Sequence, residues 1–129
     1  MTLVALATVE TAEPVKKPLP TGSTLDVEIA NRGESVWLGP QEGSNPRDRV
    51  AIVLQWRQHG GHGLSAEQHM TLPRTFYPED RTILTVPVSV PEALRGAGPW
   101  ELTIAPAFQD GRRIKVDPPF TIQVRESGH

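Results

Sequence analysis

Apolar and polar residues alternate in seven short segments along the chain, separated by glycine, proline and asparagine. That period of two is the pattern of strands with one face buried. The first segment runs from Leu3 to Val9. It is followed by a linker-like stretch, TAEPVKKPLPTG, whose prolines exclude a central strand. The second, Thr24 to Asn31, alternates Leu25, Val27 and Ile29 with polar residues and ends in a turn signal, Asn31-Arg32-Gly33-Glu34. After Trp37 comes a polar loop, GPQEGSNPRDR.

The third segment, Val50 to Gln58, carries the strongest pattern. Val50, Ile52, Leu54 and Trp56 share one face; Ala51, Val53, Gln55 and Arg57 share the other. A glycine-rich stretch, HGGHG, reads as a hairpin leading into a weaker fourth strand, Leu64 to Leu72. The fifth, Thr82 to Val90, contains Pro87, which lacks an amide donor and marks an edge or a bulge. One helical turn fits between Pro91 and Gly98. The sixth strand is Trp100 to Ala105, Asp110-Gly111 is a tight turn, and the seventh is Phe120 to Val124.

Alternation of this kind belongs to antiparallel pairing, because parallel strands covered on both faces read as continuous apolar runs. The expected fold is therefore all-β, an antiparallel β-sandwich of about seven strands, with a partly open barrel as the alternative. The expected organisation is one domain over 1–129. Within it, 1–21 hold the first strand and the proline-rich linker, 22–124 form the core, and 125–129 are a frayed tail.

Composition strengthens the all-β reading: 11 glycines and 13 prolines among 129 residues leave no room for long helices. Charge removes several partner classes. Thirteen Lys and Arg against 15 Asp and Glu give a net charge of −2, so nothing draws the chain to nucleic acid or to an anionic membrane. No apolar run is long enough for membrane insertion. The absence of cysteine excludes disulfides and thiolate chemistry. The start, MTLVALATVE, lacks the basic residues of a secretory signal, which leaves cytoplasmic residence, or excision from a longer chain, as the default expectation.

An ordered set of landmarks runs through this frame: N-R-G-E-S-V-W (Asn31 to Trp37), L-Q-W-R (Leu54 to Arg57), L-P-R (Leu72 to Arg74), P-E-D (Pro78 to Asp80), V-P (Val90, Pro91) and G-P-W-E-L-T-I (Gly98 to Ile104). The set resembles bacterial immunoglobulin-like accessory domains attached to glycosyltransferases and methyltransferases of surface-polysaccharide biosynthesis. More distantly, it is similar to the sugar-binding C-terminal domains of O-antigen ABC exporters. The resemblance covers roughly 22–124 and implies an immunoglobulin-like sandwich. The usual Pro-Gly turn of that pattern reads Pro78-Glu79 here, and the usual tyrosine of the sixth strand is Trp100.

Candidate chemistry is sparse. Trp56 and Trp100 stand in the apolar register of their strands and belong to the core. Trp37, after a turn, either plugs one end of the sandwich or faces a ligand. Phe76, Tyr77 and Phe108 are the other aromatics open to stacking, and Arg112 and Arg113 at the Asp110-Gly111 turn suit carboxylate or phosphate groups. These six, Trp37, Phe76, Tyr77, Phe108, Arg112 and Arg113, are the candidate ligand-binding residues. His59, His62 and His69 form the one metal-like cluster, suited to adventitious binding at most, because structural and catalytic zinc sites use three or four well-placed protein ligands. No cofactor is expected.

No serine has a nucleophile-elbow context and no phosphate-cradling glycine loop precedes a helix. This absence points to a non-catalytic accessory or interaction module, and the resemblance implies that it binds a protein partner or a cell-envelope glycan, working with a larger bacterial protein. The alternatives are a structural spacer or oligomerisation domain joined through an edge strand and, more remotely, a metal-assisted enzyme using the hairpin histidines.

Overall fold

In the computed structural model, residues 5–12, 18–39, 49–58, 65–96, 98–117 and 119–126 are described. Their strands are β1 (Leu6–Thr11), β2 (Leu19–Pro20), β3 (Ser23–Asn31), β4 (Val50–Gln58), β5 (Ser65–Thr71), β6 (Arg81–Val88), β7 (Trp100–Phe108), β8 (Lys115–Val116) and β9 (Thr121–Arg125). A 3-10 turn, Glu92–Leu94, lies between β6 and β7. They form a four-stranded sheet of order β6-β3-β1-β8 and a five-stranded sheet of order β2-β9-β7-β4-β5.

Alternating side chains meet between the sheets. Leu25, Val27 and Ile29 of β3, with Val86 and Val88 of β6, face Ile52, Leu54 and Trp56 of β4 and Leu102 and Ile104 of β7, all buried in one continuous cluster. The inward faces are those the alternation predicts. Where pairing partners are concerned, the structure corrects the sequence reading in three places.

First, the sheets are mixed rather than purely antiparallel, because β1 pairs with β8 and β2 with β9 in parallel. Both parallel ladders are two residues long, too short to leave a continuous apolar run in the sequence. Second, the end of the linker-like stretch is itself a short strand. Leu19–Pro20 forms the edge of the five-stranded sheet, where a proline's missing donor costs no ladder bond. Ala7 and Val9, from the segment assigned outside the core, are buried within it. Third, β7 continues past Ala105 through Pro106 to Phe108.

Pro106 is tolerated in a central strand for a local reason. On this side of β7 the amides of Ile104 and Phe108 donate to Phe120 O and Arg112 O, so an amide at 106 would point between two partners where β9 does not reach. Pro87 lies in β6, an edge strand, as its missing donor requires. The HGGHG hairpin and most of the loop after Trp37 lie outside the described residues.

Tyr77–Asp80 is a type II turn, with Asp80 N donating to Tyr77 O at 2.9 Å, Pro78 in the second place and Glu79 in the third at φ +75°. An L-residue there carries a steric cost that glycine avoids, and glycine is what the resembled pattern has at this point. Glu79→Gly is expected to raise stability by about 0.5–1 kcal/mol. The exposed Arg32–Glu79 pair it removes, 3.4 Å apart, contributes little. A urea midpoint that moves down instead would show that the turn carries no strain.

Candidate functional site

The outer face of the five-stranded sheet carries Arg113 and His69, two of the described candidates. Register brings its outward residues into lateral rows. The first row is Thr71, Ala51, Ala107 and Arg113; the second is His69, Val53 and Ala105; the third is Glu67, Gln55, Thr103 and Thr121. Each row runs from edge strand β5 across β4 and β7. In the first two rows the middle strands carry only alanine and valine, so the floor is low. Longer side chains stand on both sides.

The result is a groove of about 560 Å³. Ala51, Val53, Ala105 and Ala107 form its floor; Gln55, Glu67, His69, Thr103, Gln109 and Arg113 supply its polar groups. Phe108 also borders it, although it lies on the inward face of β7 and is 7% exposed within the core. His69 Nε2 lies 3.5 Å from Glu67 Oε2, two residues apart on the same face of β5. Arg112 lies over the Phe108 ring at 4.4 Å and its Nε donates to Asp110 Oδ2 at 2.6 Å.

Among the six residues picked from the sequence, Phe108 and Arg113 line the groove, and Arg112 is held above Phe108. Tyr77 is 55% exposed but stands apart from the groove. Trp37 and Phe76 are fully buried. Their backbones exchange two hydrogen bonds of 2.9 Å and their rings stack at 5.7 Å, so Trp37 plugs the end of the sandwich and neither ring offers a face to a ligand. His69 lies in the groove; His59 and His62 fall outside the described residues. No group of three His, Asp or Glu side chains among the described residues is arranged to hold a metal ion.

The groove floor was missed from sequence, although a signal exists. Solvent-facing positions of antiparallel strands usually alternate to polar residues, yet β4 and β7 carry Ala51, Val53, Ala105 and Ala107 there. Small apolar residues on the outward register of two strands make a trough only if those strands are neighbours, and that is a tertiary fact. No protein-family model and no curated protein matches the chain. Among the described residues, no helix is long and apolar enough to cross a membrane.

Proposed function

We propose that the chain is a non-catalytic, immunoglobulin-like binding module that works alongside a larger bacterial protein and binds a cell-envelope glycan in the groove on its five-stranded sheet. The immunoglobulin-like reading is supported by strand order. β6-β3-β1 against β9-β7-β4 corresponds to the order of that sandwich, with a buried tryptophan, Trp56, on the strand equivalent to C.

The observation that carries the functional reading is the groove's size and lining. Its volume lies within the roughly 300–1,000 Å³ of small-ligand sites, whereas a stable protein interface covers about 800 Å² on each partner. A sugar ring presents C–H faces and a fringe of hydroxyls. The alanine and valine floor suits the first, and the amide, hydroxyl, imidazole, carboxylate and guanidinium groups at the sides suit the second. Glu67 is the one carboxylate among the described groove residues, whereas glycoside hydrolysis normally takes two, about 5–10 Å apart.

A glycan array probed with the chain tests this. Binding is expected in the unsubstituted protein, lost in Ala105→Trp, which fills the floor, and retained in Tyr77→Ala, which lies elsewhere. Thermal melts should establish that both variants fold. No binding to any glycan would overturn the reading, and binding unaffected by Ala105→Trp would remove it from the groove.

A further inference from the structure

Resting on the reading of the groove as a glycan site, we propose that its ligand is acidic and that Arg113 holds the ligand's carboxylate or phosphate group. Beyond Asp110-Gly111 the chain doubles back beside the end of β7, in the space that β9 does not reach. Ala107 pairs with Arg113 there, and Phe108 N donates to Arg112 O at 3.1 Å. Paired residues of antiparallel strands share a face, so the Arg113 side chain rises on the same side as Ala107 and Ala51.

Arg112 is paired with Asp110, and His69 lies beside Glu67. The Arg113 guanidinium has no hydrogen-bond or ion-pair partner among the described residues. Glu67 does not neutralise it from across the groove. Three strand spacings of about 4.8 Å and four residues at about 3.4 Å separate their backbone positions by about 20 Å, well beyond a Debye length of about 8 Å.

Among the described residues, then, nothing compensates the Arg113 cation on the wall of this partly sheltered groove. A guanidinium presents two parallel donors that match the two oxygens of a carboxylate or phosphate. A neutral sugar gains nothing from its charge. An acidic sugar gains a charge-assisted pair and leaves the rest of its ring for the apolar floor.

The test is an array printed with neutral glycans beside their uronate-bearing and phosphomonoester-bearing counterparts, probed with the unsubstituted chain, Arg113→Gln and Arg113→Lys. Melting temperatures equal to that of the unsubstituted chain should show that both variants are folded. The unsubstituted chain is expected to select one acidic set, and which set answers distinguishes carboxylate from phosphate. Arg113→Gln should weaken that binding about 10- to 100-fold, and Arg113→Lys, which keeps charge without the fork, should fall between. Equal binding of neutral and acidic glycans, unchanged by Arg113→Gln, would overturn this inference and leave the glycan groove standing. Absence of binding to every set would overturn both.

Discussion

Trp56→Ala is expected to lower the unfolding free energy by about 3–5 kcal/mol, a large share of the roughly 5–15 kcal/mol available to a domain. The indole is completely buried on β4, with Ala66 of β5 on one side and Leu102 of β7 on the other. Truncation leaves a void between two sheets whose backbone ladders hold them apart, so the site cannot collapse to fill it.

A polar connection is lost as well. Trp56 Nε1 donates to Gln68 Oε1 at 2.9 Å, and Gln68 Nε2 donates to Ser89 O at 3.2 Å. This chain of bonds ties edge strand β5 to the segment leaving β6 of the opposite sheet. Trp56→Phe keeps most of the volume and drops the bond to Gln68, so it should cost about 1–2 kcal/mol. Urea unfolding measures both. A Trp56→Ala midpoint equal to that of the unsubstituted protein would place the ring outside the core.

Asn31→Ala should cost about 2–4 kcal/mol, and its mechanism is entirely polar. Asn31 ends β3 and is fully buried. Its Nδ2 donates to Ser35 O at 2.8 Å and to Phe76 O at 3.2 Å, while its Oδ1 accepts from Gly33 N at 3.2 Å. Its backbone adds two more bonds, to Asp80 O and from Glu79 N. One amide side chain therefore joins the loop after β3 to the segment that carries Phe76 and enters β6.

Removing that side chain strands the buried Gly33 amide and the partly buried Ser35 carbonyl, while Phe76 O keeps its bond from Trp37 N, and each unsatisfied group costs about 1–3 kcal/mol. Asn31→Asp is nearly the same shape, yet it places carboxylate oxygen against two carbonyl oxygens and buries a charge. It should destabilise at least as much as alanine. The ordering Asp at or below Ala, read from denaturant midpoints at neutral pH, separates this hydrogen-bonding role from one of packing. An aspartate variant as stable as the unsubstituted protein would overturn it.

Asn31 shows how far local reading extends. The Asn-Arg-Gly-Glu signal locates a turn correctly, but the partner at Phe76 is brought in by the Trp37–Phe76 bridge, which no local pattern encodes. The same limit applies to Trp37. Its place after a turn favours end plug over ligand face without settling it, and antiparallel pairing with Phe76 decides for burial. Arg113 was found because it follows a turn dipeptide, and Phe108 because it is an aromatic outside the strand registers read from the sequence. The floor residues Ala51, Val53, Ala105 and Ala107 were not, because alanine on one strand carries no chemistry until a neighbouring strand puts another beside it.

The sequence by itself determined seven strand segments in outline, their inward faces, an edge or bulge at Pro87 and the core places of Trp56 and Trp100. Those follow from a side-chain period of two and from what proline and glycine do to a backbone, interactions that span only a few residues. The tertiary structure alone decided which strands pair. It made the sheets mixed, drew Leu19–Pro20 and Lys115–Val116 into opposite sheets, and laid the outward rows of β4, β5 and β7 side by side as a groove with Arg113 on its wall. Hydrogen-bond ladders between distant segments are selected by burying one common core. That selection depends on every strand at once rather than on any one of them.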